Sequence, residues 1–107
     1  MYTIKKICIV TGSRADYGLL RGLIKLINED VNFELQLFVT GSHLSPQFGE
    51  SYKEIEEDGL AINRKIDLNL DLDNSFGIAH STSLALTGFS NAFNSLKPDL
   101  LILLGDR

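Results

Sequence analysis

Several things are scarce in this sequence, and each scarcity narrows what the chain can be. It has one cysteine, so no disulfide can close within it and no cysteine-rich zinc site can be built. It has no surplus of positive charge. Ten basic residues stand against fourteen acidic ones, a net charge of −4, which argues against a nucleic-acid partner because a strand of phosphates needs cations along its length. No apolar run approaches the ~20 residues of a membrane span. The opening Met1-Tyr2-Thr3-Ile4-Lys5-Lys6 leads into a short apolar strand and carries no small-residue cleavage site, unlike a secretory signal. Only two prolines occur, and no low-complexity stretch or long linker divides the chain. The expectation is a soluble, cytoplasmic α/β protein without nucleic-acid or membrane partners. A folded chain of 107 residues buries roughly two-thirds of its surface, enough for one core and too little for a cleft between two domains.

What is present alternates. Ile7-Cys8-Ile9-Val10 is a β-branched apolar run that reads as a buried strand. Leu19, Leu20, Leu23, Ile24 and Ile27 then fall at helical spacing. Phe33 to Val39 reads as a second strand. Ser45-Pro46 is a helix start, with Phe48, Tyr52 and Ile55 at i, i+4, i+7 and Gly59 as a stop. Leu60 to Ile66 is a weaker strand, and Asp67 to Asn74 an acidic loop. Ser75 to Leu96 is a long helix with a stripe of Ile78, Thr82, Ala85, Leu86, Phe89, Phe93 and Leu96. Pro98 ends it, and Leu100 to Leu104 is a wholly apolar strand. The order β-α-β-α-β-α-β predicts right-handed crossovers and a Rossmann-like parallel sheet with helices on both faces.

Ligands of open parallel sheets bind beyond the carboxyl ends of the strands. That rule selects Gly12 to Gly18, then Gly41-Ser42-His43, then Gly105-Asp106-Arg107. The first joins a strand to a helix whose N-terminal amides suit a phosphate, and Arg14 adds a cation that can fork onto its oxygens. Gly12 and Gly18 could equally serve only a tight turn and close packing. The glycine spacing is not the dinucleotide fingerprint, and no Gly-Lys-Ser/Thr makes a phosphate-binding P-loop. His43 at a strand end could touch a sugar hydroxyl or phosphate, or be a solvated loop residue. Asp106 could act as a base and Arg107 could hold a diphosphate, or the two could form a strand-end ion pair. His80 reads as structural or exposed. Cys8, within a strand, reads as a small buried hydrophobe and not a nucleophile. The acidic loop lacks the glycine and closing glutamate of a calcium loop, and no metal is expected.

Ser13-Arg14-Ala15-Asp16-Tyr17, Gly41-Ser42-His43-Leu44, and Lys97-Pro98-Asp99 leading to Gly105-Asp106-Arg107 together resemble the hydrolysing UDP-N-acetylglucosamine 2-epimerases of sialic-acid and legionaminic-acid synthesis. The related non-hydrolysing enzymes typically carry Pro-Glu after the arginine and Thr after Gly-Asp, where this chain has Ala15-Asp16 and Arg107. The resemblance implies a two-domain, glycosyltransferase-B-type fold. Residues 1–107 would be the front part of its N-terminal domain, with the rest of that domain and the C-terminal nucleotide-binding domain lying outside this chain. It implies Asp106 as the catalytic carboxylate, and Arg14, Gly18, His43 and Arg107 at the substrate, a UDP-sugar. It implies no cofactor, and self-association of the complete enzyme. A glycosyltransferase of the same overall fold and a non-catalytic fragment are the alternatives.

Overall fold

The structure, a computed structural model, describes residues 4–68 and 75–104. The elements in order are β1 (Lys5–Thr11), α1 (Arg14–Glu29), β2 (Phe33–Thr40), two short 3-10 turns (Gly41–Leu44 and Pro46–Phe48), α2 (Tyr52–Glu57), β3 (Arg64–Ile66), α3 (Ser75–Leu96) and β4 (Leu100–Leu103). The four strands form one parallel sheet in the order β3-β2-β1-β4. Ile9 lies opposite Leu37 on one side and Ile102 on the other. This central position explains why β1 is apolar without alternation: both of its faces are covered.

α1 forms where the sequence places it. Ser13 is its N-cap, with extended backbone and a side chain that accepts from the Asp16 amide at 3.2 Å. Tyr17, Leu20, Ile24 and Ile27 make its buried stripe, each spaced three or four residues from the next as a single helix face requires; Leu19 and Leu23 of the expected stripe fall to the side of that face and are exposed. That stripe packs with Ile7, Ile9, Leu37, Val39 and Ile55 in one core cluster. On the opposite face, Cys8, Phe38 and Ile66 pack against Ala92, Phe89, Phe93 and Leu96 of α3. Phe38 stacks on Phe93 with ring centroids 5.6 Å apart. The sheet is therefore covered by α1 and α2 on one side and α3 on the other, as the sequence predicts.

Three local expectations change. The single helix expected from Ser45 is broken. Ser45 makes no side-chain cap, Gly49 and Glu50 both take positive φ (81° and 50°), and the α-helix begins only at Tyr52. β3 is shorter than Leu60–Ile66. Upstream of Arg64 the ladder is replaced by a side chain, because Asn63 Oδ1 accepts the Leu37 amide at 2.8 Å while the Asn63 amide donates to the Leu37 carbonyl. Finally, the apolar stripe of α3 is only half used. Ile78 is 68% and Leu86 71% exposed, whereas Phe89, Ala92, Phe93 and Leu96 pack against the sheet. The expected acidic loop lies largely outside the described residues.

Candidate functional site

Because all four strands run parallel, their carboxyl ends share one edge. There, the segments after β1 and β2 meet. The Ser42 amide donates to the Gly12 carbonyl at 2.9 Å, and Ser42 Oγ donates to the same oxygen at 3.2 Å. Gly41 must be glycine for this approach. Its φ is +62°, and a Cβ there would stand 2.6 Å from the Gly12 oxygen. The two turns border a cleft of about 650 Å³. Gly12, Ser13, Asp16, Gly41 and Ser42 form its polar rim, and Val10, Phe89, Phe93 and Leu103 its apolar wall. Leu104, the last described residue of β4's tail, also faces it. Asp106 and Arg107 follow after Gly105 in the sequence and lie outside the described residues.

The described site residues singled out from sequence fall in two places, and none of them lines the cleft. Arg14 is on the outer side of α1, 76% exposed at the side chain, where its guanidinium pairs with Glu54 Oε1 at 2.9 Å. Gly18 borders the same outer groove between α1 and α2, and a Cβ there would meet nothing within 4 Å. That groove is closed at one end by Asp58, which accepts from the Tyr17 hydroxyl and from Arg21 Nη2 at 3.0 Å. The Tyr17 phenol is pushed up to about 12, first by burial and then by the adjacent Asp58. Asp58 is held below its ordinary range chiefly by that hydroxyl.

His43 is in the second place, beneath the turns. It is 0% exposed. Its Nε2 lies 2.8 Å from Thr11 Oγ1 and its Nδ1 2.8 Å from Ser51 Oγ, so each ring nitrogen faces one hydroxyl. The Tyr17 ring meets it edge-on, with centroids 6.4 Å apart. Burial lowers its pKa below the ordinary value, opposed in part by the carboxylates of Asp16 and Glu54. The solvated reading of this histidine is thereby excluded.

Sequence reasoning gave no role to two residues that the structure brings to the site. Asp16 is buried and borders the cleft. Its signal was its place in the first turn of a helix capped by Ser13, where a carboxylate faces the positive end of the dipole. Ser51 holds the far side of His43, and nothing in the local sequence marks it. Cys8 is fully buried, and desolvation raises its thiol to about 12, which agrees with a packing role.

Hydroxyls and backbone amides on one side of a cleft, with aromatic and aliphatic side chains on the other, suit a ligand with both a polar and an apolar face. The fold is a Rossmann-like parallel α/β sheet with a cleft at its strand ends, as in the N-terminal half of a glycosyltransferase-B-type fold. Residues 25–107 match the family model described as UDP-N-acetylglucosamine 2-epimerase, and the chain belongs to that family. It is 48% identical over 103 residues to the GDP/UDP-N,N'-diacetylbacillosamine 2-epimerase (hydrolyzing) of Campylobacter jejuni, covering 96% of this chain and 27% of the relative. Identity to the UDP-N,N'-diacetylbacillosamine 2-epimerase (hydrolyzing) of Legionella pneumophila is 38%, covering 97% of this chain and 28% of the relative. The crystal structure of UDP-GlcNAc 2-epimerase from Neisseria meningitidis bound to UDP-GlcNAc superposes with a TM-score of 0.72 at 17% identity, covering 95% of this chain and 26% of that one. The chain thus spans about a quarter of the length of the relatives it matches. Among the described residues, no helix is long and apolar enough to cross a membrane.

Proposed function

We propose that the full-length protein is a hydrolysing 2-epimerase of UDP-2-acetamido sugars. The observation that carries this reading is the 48% identity to a hydrolysing 2-epimerase across nearly the whole chain, on a fold whose strand-end turns border one cleft. In this reading residues 1–107 are part of an N-terminal Rossmann-like domain, completed by further chain and by a C-terminal nucleotide-binding domain. A cytoplasmic location and self-association of the complete enzyme go with it.

The proposed chemistry has two steps. A base removes the proton from C2 of the sugar while the C1–O bond to UDP breaks, leaving a glycal and UDP. Water then adds across the double bond, its hydroxyl to C1 and a proton to C2 on the opposite face. The product is the 2-epimer: N-acetylmannosamine from UDP-N-acetylglucosamine, or the corresponding analogue from a related sugar. Asp106 is the acid/base residue at C2. Arg14 and Arg107 neutralise the charge that develops on the departing diphosphate. To do so, the Arg14 side chain leaves Glu54, a small cost because an exposed ion pair contributes only about 0–1 kcal/mol. Gly18 keeps the helix surface beside Arg14 free of a side chain, and His43 supports the turn at the sugar.

Identity is higher to the two diacetylbacillosamine enzymes (48% and 38%) than to the UDP-N-acetylglucosamine 2-epimerase of Neisseria meningitidis (29%). The 48% relative supports a nucleotide-linked N,N'-diacetylbacillosamine as substrate, with UDP or GDP as its carrier, while the Polysialic acid biosynthesis protein P7 of Escherichia coli stands level with the Legionella enzyme at 38%. The test is incubation of the full-length protein with each nucleotide sugar and no acceptor. Free UDP together with a 2-epimerised sugar supports the reading. UDP release that depends on an added acceptor identifies a glycosyltransferase instead.

A further inference from the structure

The two turns that border the cleft are stitched twice. One stitch is visible at the cleft, where Ser42 bonds to Gly12. The second is hidden one residue before Gly12 and one after Ser42, where His43 bonds to Thr11 at 2.8 Å. His43 is then held from its far side by Ser51, in the segment leading into α2. Thr11, His43 and Ser51 are all buried, and none of the three borders the cleft. Their neighbours do: Gly12 follows Thr11, and Ser42 precedes His43.

We propose that His43 acts as a positioning residue, a buried pin between Thr11 and Ser51 that fixes the Gly12–Ser13 and Gly41–Ser42 turns relative to each other without touching the substrate itself. The inference rests on the epimerase reading for what the turns position. The pin itself rests on geometry alone. A neutral imidazole donates from one nitrogen and accepts at the other. Two hydroxyls, each able to do either, therefore hold the ring in one orientation. The ring is planar and rigid, so the distance between β1 and the α2 segment is set by its width. A flexible side chain would leave that distance loose. Small displacements of groups around a reacting centre are costly, on the order of 10²-fold in rate for about 1 Å.

The experiment uses the full-length protein with Thr11→Val, Ser51→Ala and His43→Gln, and the double variant Ser51→Ala/His43→Gln. The first two remove one hydroxyl each and keep the ring. Two quantities are read at a temperature where every variant is folded. The first is amide hydrogen exchange. The pin predicts faster exchange at residues 12–13 and 41–42 in all variants, with the middle of α1 unchanged. The second is turnover of the UDP-2-acetamido sugar. The proposal predicts kcat lower by about 10-fold or more in Ser51→Ala and in His43→Gln, with KM within about 3-fold, and a double variant no worse than His43→Gln alone. Loss of turnover in His43→Gln with normal kinetics in both Thr11→Val and Ser51→Ala overturns the proposal, because it means direct substrate contact. Normal kinetics in all folded variants also overturns it, because it means a purely structural histidine. If the wild-type protein turns over no UDP-2-acetamido sugar, the epimerase reading fails, and the exchange experiment still decides the pin: unchanged exchange in both turns refutes it.

Discussion

Replacing Gly41 by alanine tests the contact on which the cleft is built. Two costs combine. A non-glycine residue at φ +62° is strained by about 1–2 kcal/mol. The new Cβ would also lie 2.6 Å from the Gly12 carbonyl oxygen, and 3.4 and 3.5 Å from that residue's carbon and Cα. These are backbone atoms of the neighbouring turn and cannot rotate aside. The turns must separate, stretching both Ser42 bonds to Gly12, each worth about 0.5–1.5 kcal/mol. The sum is about 2–5 kcal/mol. Gly49→Ala is the control, since Gly49 has φ +81° but nothing within 4 Å of a Cβ. It incurs only the backbone strain, about 1–2 kcal/mol. Native-state amide exchange at Ile9 and Leu37, in the centre of the sheet, reads the stability of this domain within the full-length protein. Gly41→Ala should exceed Gly49→Ala by about 1 kcal/mol or more. Equal losses would refute the close approach of the two turns.

Other outcomes follow from the same geometry. The pKa of His43 is lowered on folding by burial, so below the ordinary value near 6.5 the unfolded chain binds more protons than the native one. Stability is then complete above that value and falls as pH drops below it, by at most about 1.4 kcal/mol per pH unit. Exchange-derived stability between pH 7.5 and 5 should show this slope, and His43→Gln should flatten it. Cys8, buried with its thiol raised to about 12, should resist an aromatic disulfide reagent in the native protein and react promptly after unfolding in urea; fast native reaction would contradict its burial. Asp106→Asn should retain UDP-sugar affinity and lose turnover by roughly 10²-fold or more, as removal of an acid/base residue does. Arg14→Ala should weaken UDP binding, whereas Glu54→Ala, which frees Arg14 from its partner, should not. A calorimetric titration with UDP separates the two.

The layer order was legible because it is written in local periodicity. The helical spacing of Leu19, Leu20, Leu23, Ile24 and Ile27 and the apolar runs of β1 and β4 each specify an element without reference to distant residues, although Leu19 and Leu23 turn out exposed and Tyr17 is buried in their stead. The strand-end rule then located the turns at Gly12 and Gly41. The region from Ser45 to Gly59 was harder to read because its outcome depends on backbone conformation at Gly49 and Glu50, and an i, i+4, i+7 pattern does not report φ. Periodicity records which face of α3 is apolar, not which residues of that face a neighbour covers. Ile78 and Leu86 belong to that face and are exposed. At the site, the environment of His43 was hidden for a different reason. Its partners are 32 residues before it and 8 after it in the chain, and only the tertiary fold brings two hydroxyls to one ring. Arg14, expected in the turn before the helix, begins α1, and its side chain turns outward to Glu54, a choice set by the position of α2.

The central claim is that the full-length protein breaks and remakes the C2–H bond of a UDP-2-acetamido sugar while releasing UDP. The most direct measurement is the reaction in D2O, followed by NMR of the sugar product. The account predicts one deuterium at C2 of a 2-epimerised product, with one UDP released per sugar. UDP release with protium and the original configuration at C2 would contradict it, as the mark of simple hydrolysis without elimination.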